Sequence, residues 1–82
     1  MNIPKIQSVK VIGKRVILVE FTNKEKKSYD ISLLLEQESF YPLKDFNFFK
    51  NFNIEKGGIA ISWNEDIDIS EYELWKNGKN CR

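Results

Sequence analysis

The sequence predicts an α+β domain: a three-stranded antiparallel meander and a second β-hairpin, with two or three short helices packed on the sheet. Three observations carry that expectation. Residues 7–31 read as three strands, the outer two alternating apolar and polar and the middle one apolar on both faces, parted by two turns. Gly57-Gly58 separates two further alternating runs. Ser70-Glu71-Tyr72-Glu73 has the spacing of a helix capping box, in which the serine oxygen accepts from the Glu73 amide and the glutamate reaches back.

The elements follow in order. Val9 and Val11 alternate with Ser8 and Lys10, the period of a half-buried strand, and Gly13-Lys14 turns the chain. The run Val16-Ile17-Leu18-Val19 is apolar on both faces, which predicts a central strand covered by other elements. Asn23-Lys24-Glu25 makes the second turn, after which Lys27, Tyr29 and Ile31 alternate with Lys26, Ser28 and Asp30. Consecutive leucines in Ile31-Ser32-Leu33-Leu34-Leu35 fit a short helical turn capped by Asp30 or Ser32. Phe40-Tyr41-Pro42 is expected to interrupt it, because the residue before proline is pushed out of helical geometry. Asp45 can cap a second short helix with Phe46 and Phe49 one turn apart on one face.

Phe52 and Ile54 then alternate with Asn53 and Glu55, and beyond the glycine pair Ile59, Ile61 and Trp63 return on one face. The last helix starts at Ser70, sets Tyr72 and Trp75 on its apolar face, and stops at Asn77-Gly78, where either residue tolerates left-handed backbone. The expected core joins Ile17, Val19, Phe46, Phe49, Ile61 and Trp63. With 82 residues the chain is expected to form one domain, 1–82, ordered over about 6–77, with a mobile tail over 79–82.

Composition narrows the chemistry. There is no histidine, which removes the commonest general base near neutral pH and the commonest zinc ligand. The single cysteine, Cys81, can form no internal disulfide and has no histidine to activate it. Gly57-Gly58 lacks the Gly-Lys-Ser/Thr context of a phosphate loop. Asp66, Asp68 and Ser70 alternate like the opening of a calcium loop, yet Glu71 stands where that loop needs glycine and Asn77 where it needs glutamate. No catalytic, cofactor-binding or metal-binding residues are therefore assigned, and no enzyme is expected. Met1 to Lys5 carries no apolar run of the signal-peptide kind, and no stretch approaches the roughly 18 apolar residues of a membrane span. A cytoplasmic protein without a membrane partner is expected.

Net charge is only +1, from 13 basic and 12 acidic residues, but the charge is unevenly placed. Glu65, Asp66, Asp68, Glu71 and Glu73 lie between Asn64 and Trp75 without any base. Their carboxylates read either as solvated charge before a helix start or as a partner-contact surface, with Glu65, Asp66, Glu71 and Glu73 as the contact residues. Lys10, Lys14, Arg15, Lys24, Lys26 and Lys27 accumulate on the meander, with Glu20, Glu25 and Asp30 as the acids among them. They are candidate phosphate contacts for a nucleic-acid-associated accessory protein, or else solvated charge that discourages edge-to-edge aggregation. Homo-oligomerisation is also compatible with the sequence.

Three segments carry a family resemblance: Tyr29-Asp30-Ile31-Ser32-Leu33-Leu34; Phe40-Tyr41-Pro42-Leu43-Lys44-Asp45 with Phe48-Phe49; and Ile59 to Trp75, where Trp63 precedes Asp68-Ile69-Ser70 and Leu74-Trp75. In order and spacing, the chain resembles the bacterial domain-of-unknown-function family 2442, DUF2442, over almost its whole length. It departs from the family pattern at Asn64-Glu65-Asp66, where a Pro-Asn-Gly type turn is usual, and at Glu71, where proline is frequent. The resemblance implies no catalytic residues. Some members are fused to a helix-turn-helix domain and others look like the smaller half of toxin–antitoxin style gene pairs. It therefore implies a protein-interaction or regulatory module, or a small inhibitor, whose partner is another protein.

Overall fold

A computed structural model describes residues 3–81. The meander forms as its alternation predicts: β1 (Ile6–Val11), β2 (Val16–Phe21) and β3 (Lys26–Asp30) pair antiparallel, with Val9 opposite Val19 and Ile17 opposite Tyr29. A register shift between Ile6 and Ser8 lets Ile6 stand opposite Phe21. Directly opposed residues share a face, so Ile17, Val19, Phe21 and Tyr29 form one buried surface.

The other face of β2 does not receive the cover that its apolar run predicts. Val16, Leu18 and Glu20 on that face stay part-exposed, whereas Ile17 and Val19 on the opposite side are sealed.

Asp30 ends β3 and caps the next turn, its carboxylate accepting from the Ser32 amide at 2.8 Å. The following 3-10 stretch, Ile31–Glu36, buries Ile31 and Leu35, and a second runs from Glu38 to Lys44. Pro42 lies inside the second stretch. The break falls instead at Gln37, whose backbone is extended (φ −96°, ψ 131°). Asp45 caps α1 (Phe46–Phe49) by accepting from Asn47. Phe49 is fully buried, but Phe46 remains 45% exposed with the Lys50 ammonium 6.0 Å from its ring centre, so it drops out of the expected core. α1 spans a single turn, so of its three phenylalanines Phe49 alone is fully buried, while Phe48 packs part-buried against the core.

The hairpin forms a second sheet, in which β4 (Asn53–Ile54) pairs with β5 (Ala60–Ser62) and β5 with β6 (Asp68–Ser70). Gly57 and Gly58 both adopt positive φ. At Gly58 a side chain would also fall on the Ile6 carbonyl, so this turn is pressed against β1. The turn carries Ile59 outward, 51% exposed, and leaves Ala60 and Ile61 to enter the interior. Trp63 is buried as expected. Its indole donates to the Phe49 carbonyl at 2.6 Å, and the two rings stack with centres 6.2 Å apart.

α2 (Glu71–Asn77) begins at Ser70, whose hydroxyl accepts from the Glu73 amide at 3.1 Å. Leu74 is the residue that this helix buries completely, while Tyr72 is exposed. Trp75 lies between them in burial, in a T-shaped contact with Phe21 whose ring centres are 5.1 Å apart, and with the Lys27 ammonium 4.5 Å from its ring centre. Gly78 is extended (φ −73°, ψ 153°) rather than left-handed, and a Cβ there would sit 3.0 Å from that of Lys27. That close approach places the following residues in register with β3. Lys79–Cys81, expected as a mobile tail, form β7, with Ser28 opposite Lys79 and Lys26 opposite Cys81; Arg82 lies outside the described residues. The first sheet thus has the order β1-β2-β3-β7 and the second β4-β5-β6.

Candidate functional site

A concavity lies where β7 stops short of the end of β3. It is an open groove of about 860 Å³ between the Ile31–Glu36 stretch, the end of α2 and the start of β7. Its shape follows from local rules. Ile31 and Leu35 are anchored in the core on one side of their short helical stretch, so Ser32 and Leu33 between them turn outward. Leu33 is 78% exposed as a result. Leu33, Leu34 and Val16 give the groove apolar walls, and Asp30 and Lys79 give it charge of both signs.

Electrostatics at this end are set by two hydrogen-bonded carboxylates. The Ser32 hydroxyl and amide hold Asp30 below the usual carboxylate range, and the charges of Arg15 and Lys79 act in the same direction. On the other wall the buried Tyr29 hydroxyl donates to Glu73 at 2.7 Å. Burial pushes the Tyr29 phenol up, and the hydrogen bond and negative charge of Glu73 push it further. The reciprocal half of the capping box is absent from the hydrogen bonds of the described residues: the Glu73 carboxylate bonds Tyr29. Leu34 and Glu73 also border a second depression of about 350 Å³, reached by Asp68, Ser70 and Phe40.

The structure divides the four acidic residues expected as partner contacts. Glu65 and Asp66 are exposed in the loop after Trp63, where the Asn64 side chain accepts from the Asp66 and Ile67 amides and closes the turn without proline or glycine. Glu71 pairs with Lys5 at 2.7 Å, and its second carboxylate oxygen is buried with no hydrogen-bond partner among the described residues. Glu73 is held by Tyr29. Ile67 and Ile69 point inward and Asp66 and Asp68 outward, as the alternation predicts. Among the described residues, no three acidic or cysteine side chains gather in a way that could hold a metal ion.

The basic residues are likewise dispersed. Lys14 and Arg15 lie at the β1–β2 turn and Lys24 at the β2–β3 turn, opposite ends of a six-residue strand and so about 20 Å apart. Lys27 turns to the core side and covers Trp75, whereas Lys10 and Lys26 lie on the open face. Sequence reasoning did not single out Leu33, Val16 or Lys79. The Asp30 cap with Ile31 and Leu35 four apart could have flagged Leu33, but the position of Lys79 depends on a long-range strand pairing. No helix among the described residues is long and apolar enough to cross a membrane.

The family model described as "Protein of unknown function (DUF2442)" matches residues 6–80. The chain belongs to that family. No curated protein and no solved structure matches it.

Proposed function

Starting from a DUF2442 domain whose family has no known function, we propose that this chain is a protein-interaction or regulatory module of the cytoplasm. It works by binding another protein, in the manner of one half of a toxin–antitoxin-like pair, and not as an enzyme. The observation that carries this reading is Leu33. A leucine 78% exposed on a capped, core-anchored turn, at the rim of an open groove, has apolar surface to bury and a rigid base from which to bury it. Cytoplasmic residence is supported by a composition with one cysteine and no disulfide framework.

A photoreactive residue in place of Leu33, introduced in the native host, tests the reading. Crosslinking to a single protein that rebinds the purified chain in stoichiometric amount is expected. A chain recovered alone under gentle conditions at several salt concentrations, with no crosslinked species, overturns it.

A further inference from the structure

One face of the four-stranded sheet leaves Val16 and Leu18 part-exposed and Ile12 exposed, and we propose that it docks an acidic amphipathic helix of a partner protein. This deepens the protein-binding reading and rests on it, adding the surface and the chemistry of the occupant. Cross-strand register puts Lys10, Leu18, Ser28 and Lys79 in one row across β1, β2, β3 and β7. Val16 stands opposite Asp30 in the next row, and the Ile12 amide donates to the Val16 carbonyl at 3.0 Å, which brings Ile12 alongside. Strand alternation turns all of these side chains away from the face that buries Ile17 and Val19. Ile12 is 54% exposed, Val16 and Leu18 are part-exposed, and the groove carries the apolar strip on to Leu33.

Dimensions favour a helix. Three strand spacings separate β1 from β7, so Lys10 and Lys79 stand about 14 Å apart across the row. A helix with its side chains is about 10–12 Å wide and fits between them, lying over Leu18. Charge then selects the helix. Lys10, Lys26 and Lys79 face outward on this side, with Lys14 and Arg15 at the turn next to Ile12 and Val16, and Glu20 and Asp30 are the acids among them. A second copy laid face to face would set these bases against one another. Nucleic acid would meet the bases but leave the apolar strip without a counterpart, and among the described strand residues no aromatic ring stands on this face for a base to stack on. A helix with one leucine-rich stripe flanked by carboxylates meets both needs: its stripe covers Leu18, Val16 and Leu33, and its flanks reach Lys10 and Lys79.

The test titrates the isotope-labelled full chain with a designed peptide helix that has a leucine stripe and glutamate flanks, and with its lysine-flanked counterpart. The glutamate peptide is expected to bind, to shift the amides of Leu18, Ser28, Leu33 and Lys79, and to weaken as salt rises. Leu33→Ser, and separately Lys10→Glu with Lys79→Glu, are expected to loosen it about tenfold. These positions are exposed, so both variants keep the fold. Equal binding of both peptides, shifts on another surface, preferential binding of a DNA duplex, or shifts that depend on protein concentration alone overturn the proposal. A crosslinked cellular partner that still binds both variants would remove this surface and leave the interaction reading standing. No cellular partner at all would remove the interaction reading and, with it, the assignment of this face to one, even where the peptide binds there.

Discussion

The hydroxyl of Tyr29 on β3 donates to the carboxylate of Glu73 on α2 at 2.7 Å, joining the last helix to the sheet at the wall of the groove. The same bond takes Glu73 away from the reciprocal half of its capping box, so a local motif yields to a long-range contact. Its pH dependence has a definite sign. The folded state holds the Tyr29 proton more tightly than the unfolded chain, whose tyrosine ionises near the ordinary value of about 10. The stabilisation is complete below that value and is lost as pH rises above it. Tyr29→Phe is expected to cost about 1 kcal/mol at neutral pH, and chemical denaturation above pH about 10 should show the two proteins converging. A gap of constant size across that range would contradict this account.

Trp63 serves two elements at once, stacking on Phe49 and donating to its carbonyl. Trp63→Phe keeps a ring for the stack but removes the donor, leaving a buried carbonyl without its partner. A loss of about 1–3 kcal/mol is expected, and it should be larger than the effect of Ile59→Ser, since Ile59 is exposed. Urea denaturation of the two variants decides between a buried tether and mere ring packing.

Gly58 joins the hairpin turn to β1. Its φ of 70° disfavours any side chain, and a Cβ would also fall against Ile6 backbone atoms. Gly58→Ala is therefore expected to destabilise the protein more than Gly57→Ala, at which a Cβ would meet only Ile59 at 3.9 Å. Equal thermal shifts for the two would show that backbone conformation, and not the approach to Ile6, sets the cost.

How much could be read in advance depended on how local the deciding contacts were. The caps at Asp30, Asp45 and Ser70 were legible because each is made within three residues of the cap. The meander was legible because its alternation and its turns agree on one register. Phe46 was misplaced because a single helical turn does not settle which aromatic reaches the core, and Ile59 because the glycine turn rotates the strand entry. The candidate site was harder still. Its acidic and basic residues could be enumerated from the sequence, but Glu71 and Glu73 are engaged by Lys5 and Tyr29, 66 and 44 residues away in the chain. No neighbouring residue announces such partners.

β7 makes the strongest case of this kind, and it can be tested by removal. Lys79-Asn80-Cys81 has little strand preference of its own, so its pairing depends on Gly78 leaving α2 in an extended conformation hard against Lys27. Once there, it supplies the outer strand of the sheet and one wall of the groove. Deleting residues 79–82 should expose the β3 edge and cost about 1–3 kcal/mol through lost ladder hydrogen bonds, read as a lower urea midpoint. Amide exchange should accelerate at Lys26 and Ser28, opposite the lost strand, while Ile17 and Val19 keep their protection. An unchanged midpoint would mean that the strand follows the sheet without supporting it. In that event Lys79 would be a poorly fixed wall for the groove, and docking there would have to order it at the expense of affinity.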